Sequence, residues 1–544
     1  MNVDIGYGDA AAVRLAEGAP LGAAIDTADP AAWTALDAGV RRIAWYTDED
    51  HQPNWARTEG GRSLTAALRR PERLTEARLA IALCHRDGRI RRGALGQVTR
   101  YPALLPLVVI RCADWAPQVR ERARERLAEV LDGGSAIRLA PLILRLGRRG
   151  RGDFATRLTA EVLRREPAER LTPLLTHPDR DVRRFVYGLA VEDGTLSPAE
   201  LADAAARDHD TVVQRLCAEA ALAAVPRGPC TMPVRSGRVV WCRASQGAGA
   251  PTWRSHVGVS ATRRGAVPGR ATRAGIVQGP LREGGPYDDV LLPLLGARNP
   301  QVRSAGVTAL RRAGHPERAE PFLADRSGLV RACARYVVRQ GGGDPLSWYR
   351  RRCADPGDPG LPPGAVVGLA ECGGRADAEL LWPLLGHPAA GVRARAVAGL
   401  RTLDVTDVAR LRSLLDDPAP GVVREATAAL LPSARSLDAD WLTERLGAEW
   451  PRHVRVAAFR LLDAHEGLVR LRSAVALVDD EDVKLRHWAR QSVQGWRLTA
   501  DVPIGTPEVG ELLDRGRHLF SEYVLERRKR EAGILGGAAE PRSR

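Results

Sequence analysis

The stretch HPAAGVRARAVAGLRTL (387–403) decides how the rest of the chain is read. A turn of His, Pro and Ala is followed by Val392-Arg393, then Ala396, then Leu400. Offsets of four and eight place the Val, Ala and Leu on one face of a helix. The small middle residue lets a neighbouring helix approach closely. The same frame recurs as Ile90-Arg91, Val119-Arg120, Val182-Arg183, Val302-Arg303, Val330-Arg331, Val423-Arg424, Val454-Arg455 and Leu485-Arg486.

The spacing carries more weight than any single copy. Arg393, Arg424, Arg455 and Arg486 follow one another at steps of 31 residues, and Arg331 lies two such steps before Arg393. The midpoint of that double step falls at Pro362, where Leu361, Ala365 and Leu369 keep the apolar frame without the Arg. One step beyond Arg183 lands on Gln214, in HDTVVQRLCAEAA. Before the turns lie further apolar segments, VLLPLLGARNP (290–300), ELLWPLLGHP (379–388) and ARLRSLLDDP (409–418). Each unit therefore reads as helix, Pro-containing turn, helix, with the Pro near a helix start where its missing N–H costs little. One such unit cannot bury its apolar face alone, but a stack can. The expected fold is all-α.

These Val-Arg units resemble the HEAT-repeat family, in particular the short bacterial HEAT-like form of about 30 residues that the bilin lyases share. The resemblance covers 81–224 and 287–497. It implies an armadillo-like, right-handed α-solenoid of HEAT-like helical hairpins, about twelve to fourteen of them, whose Val-Arg helices line the concave side. It also implies a structural ladder of Arg91, Arg120, Arg183, Arg303, Arg331, Arg393, Arg424, Arg455 and Arg486, each bonded to an acid or carbonyl at a neighbouring turn. Candidate acids are Asp87, Asp179, Asp181, Asp325, Asp416, Asp417 and Asp482. Residues 1–80 are expected to form an N-terminal helical cap, and 498–544 a C-terminal capping helix and tail.

One segment does not fit. From Ala220 through Arg282 there is no Asp or Glu, while ten arginines occur. Residues 225–286 form an irregular basic segment rich in Gly, Pro and Arg, without helical periodicity. Three readings compete: a basic loop for nucleic acid or an acidic partner, a solvated linker, and text read in a shifted frame. The last is preferred, because out-of-frame GC-rich codons give acid-free Arg/Gly/Pro/Ala text. The 89 residues from Gln214 to Arg303 would then hold two lost repeats. Without the segment's +10, the chain's formal +15 falls to +5, and most of the case for nucleic acid goes with it.

At the N-terminal end, Trp33, Trp45, Tyr46, His51 and Trp55 surround the acids Asp48, Glu49 and Asp50. This reads as a capping element with an acidic loop rather than a polar pocket. At the other end, Glu508 to Ala532 reads as one amphipathic helix with Val509, Leu512, Leu513, Leu519, Phe520, Tyr523 and Val524 on one side. Its basic end, Arg527 to Arg530, suits a helix C-terminus.

The 544 residues are 44% hydrophobic but only 5% aromatic, so the apolar content is mostly Ala, Val and Leu and suits packed helices. No apolar run approaches the ~18 residues of a membrane span. The opening MNVDIGYGDA lacks the basic and apolar regions of a secretory signal. Eight scattered cysteines without a CxxC pair suit reduced thiols and a cytoplasmic location. Of 81 basic residues only Lys484 and Lys529 are lysine, the mark of a GC-rich, actinobacterial genome.

No HExxH, GxSxG, phosphate loop or dinucleotide fingerprint is present. No catalytic residue, metal site or cofactor is expected. The inner face of a HEAT-like stack would carry Arg184, Phe185, Tyr336, Arg395, Arg460, His487 and Trp488, among Glu121, Arg122, Glu125 and Glu425. Four arginines there against three glutamates is no phosphate-tracking stripe. The expected function is a non-catalytic protein-binding scaffold, with the first seven residues as the partner surface. A nucleic-acid-binding or DNA-repair HEAT-like protein is the alternative, and a lyase-like accessory enzyme the weaker one.

Overall fold

The computed structural model describes residues 5–41, 55–68, 70–148, 150–225 and 287–535. Among them every regular element is helical and there is no strand. No helix among the described residues is long and apolar enough to cross a membrane.

Helices pair in sequence order, and each pair packs on the next. Leu105–Arg111 pairs with Pro117–Val130, Pro198–Arg207 with Thr211–Ala223, and Gly467–Ala476 with Val483–Gly495. The second helix of one pair touches the second helix of the following pair: Pro363–Cys372 meets Ala390–Thr402, which meets Pro420–Leu430, which meets Arg452–Asp463. The apolar frame explains this order. Val119, Ala123 and Leu127 are buried, as are Val392, Ala396 and Leu400, and at the Arg-less unit Leu361, Ala365 and Leu369. The small middle position is a close approach at Gly306, where a Cβ would stand 3.1 Å from that of Leu294. Side chains cap many second helices: Asp87, Asp179, Asp210, Asn299 and Asp482 each accept a backbone N–H within three residues. The apolar core falls into two clusters, and both reach the helix Arg180–Asp193 through Tyr187 and Leu189.

The recurrent arginine has a fixed set of partners. Arg393 donates Nη1 to the carbonyls of His387 and Pro388 in its own turn, at 2.9 and 3.0 Å. Its Nε and Nη2 clamp the Asp417 carboxylate of the next unit at 2.8 and 2.9 Å. Arg91 holds Asp114 the same way, Arg183 holds Asp208, and Arg303 holds Asp325. Arg455 reaches Asp480. The acceptor's own carbonyl is taken by the following unit: Arg120 bonds Asp114 O, Gln214 bonds Asp208 O, Arg331 bonds Asp325 O and Arg486 bonds Asp480 O. The acceptor thus sits six residues before the next ladder position.

This rule corrects several expectations. Of the seven acids proposed as ladder partners, only Asp325 and Asp417 are; Asp87, Asp179 and Asp482 are N-caps, Asp181 pairs with Arg148, and Asp416 with Arg445. Arg331 pairs with Glu371 on the next second helix, across a longer turn at 354–362. Arg424 is not a ladder residue. Counting six from Asp417 lands on Val423, and the buried frame there is Val422, Ala426 and Leu430. The helix is shifted by one residue from the 31-residue step, which leaves the Arg424 side chain 69% exposed.

The basic segment 225–286 lies outside the described residues except for Val225. The helices on either side of it pack directly: Pro198–Arg207 meets Asp288–Gly296, and Thr211–Ala223 meets Pro300–Arg312. Gln214 accepts a bond from Asn299 at 2.6 Å, and Arg312 donates to the carbonyls of Leu222 and Val225 at 2.7 and 2.6 Å. The flanking helices thus stack on one another directly, through a Gln–Asn bond in place of the Arg–Asp clamp.

Of the two ends, the C-terminal one differs from expectation. The loop with Trp45, Tyr46 and His51 lies outside the described residues. Trp33 and Trp55 are core residues whose indole N–H groups reach the carbonyls of Thr27 and Val40. The expected single C-terminal helix is two, Pro507–Arg515 and Glu522–Glu531. Arg528 is buried and donates to the carbonyls of Val493 and Trp496, closing the end of the preceding helix.

Two outcomes test this account. Asp114 holds the fully buried Arg91 at 2.9 and 2.8 Å and also Arg111 at 3.0 Å. Asp114→Ala leaves Arg91 without a carboxylate, while Arg111 keeps Asp37, and losing one partner of a buried pair costs about 3–5 kcal/mol. Urea unfolding at lower concentration, with faster amide exchange in Gly88–Leu95, is expected; Arg424→Ala should stay within about 0.5 kcal/mol of the parent. Separately, replacing residues 226–286 by a short Gly/Ser linker should keep one cooperative melt within a few degrees of the parent. Two separate melts would contradict the direct joint.

Candidate functional site

The second helices near the C-terminal end meet in two adjoining depressions, of about 550 and 450 Å³. Trp488 and Arg460 line both. The larger one has an apolar floor of Val423, Val456 and Ala457, and its charged lining is Arg424, Arg452, Arg460 and Lys484, with no carboxylate. The helices Pro420–Leu430, Arg452–Asp463 and Val483–Gly495 each present their first turn here. Helix N-termini carry partial positive charge and disfavour cations. Arg452 and Lys484 nevertheless occupy those turns and Arg424 follows one directly, so helix stability does not account for them.

Their partners differ. Arg452 is paired with Asp482, and His453 bonds the Asp417 carbonyl at 3.2 Å. Arg424 has only a 3.5 Å contact with Glu425. Lys484 stands 4.5 Å over the Trp488 ring, and neither it nor the exposed Arg460 has an ion pair among the described residues. The smaller depression is internally satisfied: Ser492 donates to Asp463 at 2.5 Å, and Arg470 binds Asp463 at 2.9 Å. Ser492 has no histidine beside it as a base, so this trio positions the wall rather than forming a nucleophile.

Of the seven residues predicted as a partner surface, the structure brings together only Arg460 and Trp488. His487 is exposed next to Trp488 and lines neither depression. Arg395 is exposed and makes no ion pair among the described residues. Tyr336 is 45% exposed on a distant helix, with its hydroxyl taking a bond from Arg311 at 2.7 Å. Arg184 is spent on Asp210, at 2.9 and 2.7 Å, and Phe185 packs against the core. Sequence reasoning missed Arg424 and Lys484 as groove residues. Arg424 was hidden by the one-residue shift in its helix. Lys484 precedes the Leu485-Arg486 pair by one turn position, and its rarity in an arginine-rich chain was the available signal.

Comparison with protein-family models finds no match, and comparison with curated proteins finds none. Among solved structures, an engineered protein from a structural-genomics consortium is similar at 12% identity, over 76% of this chain and 97% of that one, with a TM-score of 0.18. A score that low carries no argument about role.

Asp210 and Asp482 are held down to about 2 by the hydrogen bonds of Arg184 and Arg452 respectively. A carboxylate lowered in the folded state contributes stability that is complete above the unfolded value of about 3.9 and fades as pH falls through about 2. For the buried Asp210 this is about 2 kcal/mol. Thermal midpoints should therefore fall between about pH 4 and 2. Arg184→Ala should flatten that fall while lowering the midpoint at pH 7; an unchanged slope would contradict the pairing.

Proposed function

We propose that the stacked hairpins form a right-handed α-solenoid of HEAT-like type, and that the chain is a non-catalytic cytoplasmic scaffold binding a protein through the face of its second helices. The observation that carries this is the Trp488 groove, where an aromatic ring lies beside Arg460 and Lys484, two cations with no ion pair among the described residues. Trp, Tyr and Arg are the residues that dominate binding energy at protein interfaces. On other second helices several arginines are consumed internally, Arg122 by Glu125, Arg335 by Glu371 and Arg401 by Glu425, while Arg395 stands without an ion pair among the described residues. That alternation argues against nucleic acid, which needs a continuous cationic track.

Crosslinking followed by affinity measurement with the captured partner tests the reading. Trp488→Ala with Arg460→Ala should weaken binding by about 30-fold or more, the scale of losing a hot spot of about 2 kcal/mol. Tyr336→Ala should leave affinity within about twofold. A partner whose crosslinks avoid this groove and whose affinity ignores both changes would overturn the proposal.

A further inference from the structure

We propose that the groove on Pro420–Leu430, Arg452–Asp463 and Val483–Gly495 is a recognition site for an acidic peptide segment with an aromatic or leucine anchor, a specificity that rests on the scaffold reading above. Three observations converge on this occupant. The first is charge. Four cations and no carboxylate line the larger depression; Arg452 is neutralised by Asp482 and Arg424 touches Glu425 at 3.5 Å, while Arg460 and Lys484 have no ion pair among the described residues. Three helix first turns add partial positive charge at the same place. A basic occupant is repelled, and a neutral one leaves Arg460 and Lys484 without partners.

The second is shape. The floor of Val423, Val456 and Ala457 and the ring of Trp488 form an apolar slot between the charges. Trp488 is half-buried against the core with Lys484 Nζ 4.5 Å over its ring, so an incoming side chain packs on the part of the indole left exposed beside the ammonium. At about 550 Å³ the depression admits one or two side chains of an extended peptide. Carboxylates on either side of the anchor then reach Arg460 and Arg424 on one flank and Lys484 on the other. Arg can take a carboxylate through two parallel N–H bonds, and Lys as a point charge.

The third is extent. Carboxylates border the patch, since Glu425 pairs with Arg401 and Arg424 on one side. Asp463 and Arg470 neutralise one another on the other side. A polynucleotide would meet carboxylates within one repeat in each direction, whereas a short acidic motif fits inside the patch.

The test is selection of random dodecapeptides displayed on phage against the full chain, alongside a charge-swapped variant. Arg460→Glu and Lys484→Glu change exposed side chains, and the melting temperature checks that the fold is kept. The parent should enrich Asp and Glu flanking an aromatic or Leu, and the swapped chain should reverse to Lys and Arg. A synthetic selected peptide should lose at least about tenfold in affinity when its acids become Gln, or when Trp488 becomes Ala. Its affinity should fall as salt rises. Selected sequences without acids, a selection the charge swap does not alter, or oligo-dT binding that matches or exceeds the peptide's would overturn the inference. If a crosslinked protein partner loses affinity in Trp488→Ala but selection shows no acids, this specificity fails while the scaffold survives. If the partner is indifferent to the groove, the scaffold reading fails first.

Discussion

The stack depends on buried guanidinium groups being fully bonded. An arginine taken out of water is costly unless most of its N–H groups meet acceptors. Arg91 meets that demand with two carbonyls of its own turn and both oxygens of Asp114. The carbonyls fix the turn within a unit, and the carboxylate fixes the distance to the next. Because Asp114 then offers its own carbonyl to Arg120, one unit's register is passed to its neighbour. Apolar burial alone would let hairpins slide, since Val, Ala and Leu faces are alike. The ladder makes one sliding position much better than the rest.

The same constraint explains how the chain tolerates an insert. At Gln214 the ladder residue is neutral, and its amide accepts from Asn299 while donating to Asp208 O. An uncharged relay needs no carboxylate opposite, so the joint beside the long segment closes without a buried charge. Arg312 completes it by binding the carbonyls of Leu222 and Val225 at the end of the helix before the segment. The stacking order is therefore held from both sides of the joint by described residues alone.

The helical class and the buried frame were legible because apolar periodicity is a local property. Val392, Ala396 and Leu400 are buried as their spacing implies. The acceptors were not, although their signal was present. An Asp stands six residues before positions 120, 214, 331, 423 and 486, as Asp114, Asp208, Asp325, Asp417 and Asp480, yet acids nearest the helix start drew attention first. Those acids cap helices, a role that competes for the same residue type over two residues of sequence. The exact 31-residue step misled at Arg424 for a related reason. Period counts positions and not burial, and a helix entered through Pro-Gly-Val-Val offers two apolar registers. The partner surface was the least legible, because adjacency between helices 30 residues apart depends on side chains, not on period. Arg460 and Trp488 meet, while Tyr336 and Arg184 are taken by neighbours.

A stack whose arginines are mostly committed to register has few left for recognition. The register slip at Val423 is what creates the exception. With Val in the ladder position, Asp417 still receives Arg393, but the next link of the chain is not an arginine. The displaced Arg424 turns outward, beside Arg460 of the following unit and Lys484 of the one after. A local fault in the ladder and an unneutralised groove are thus two sides of one substitution. The stack retains its order there because Asp417 is held from the preceding unit and His453 takes its carbonyl from the following one. Structure and recognition draw on the same residue type, and what the first does not use is what the second has available.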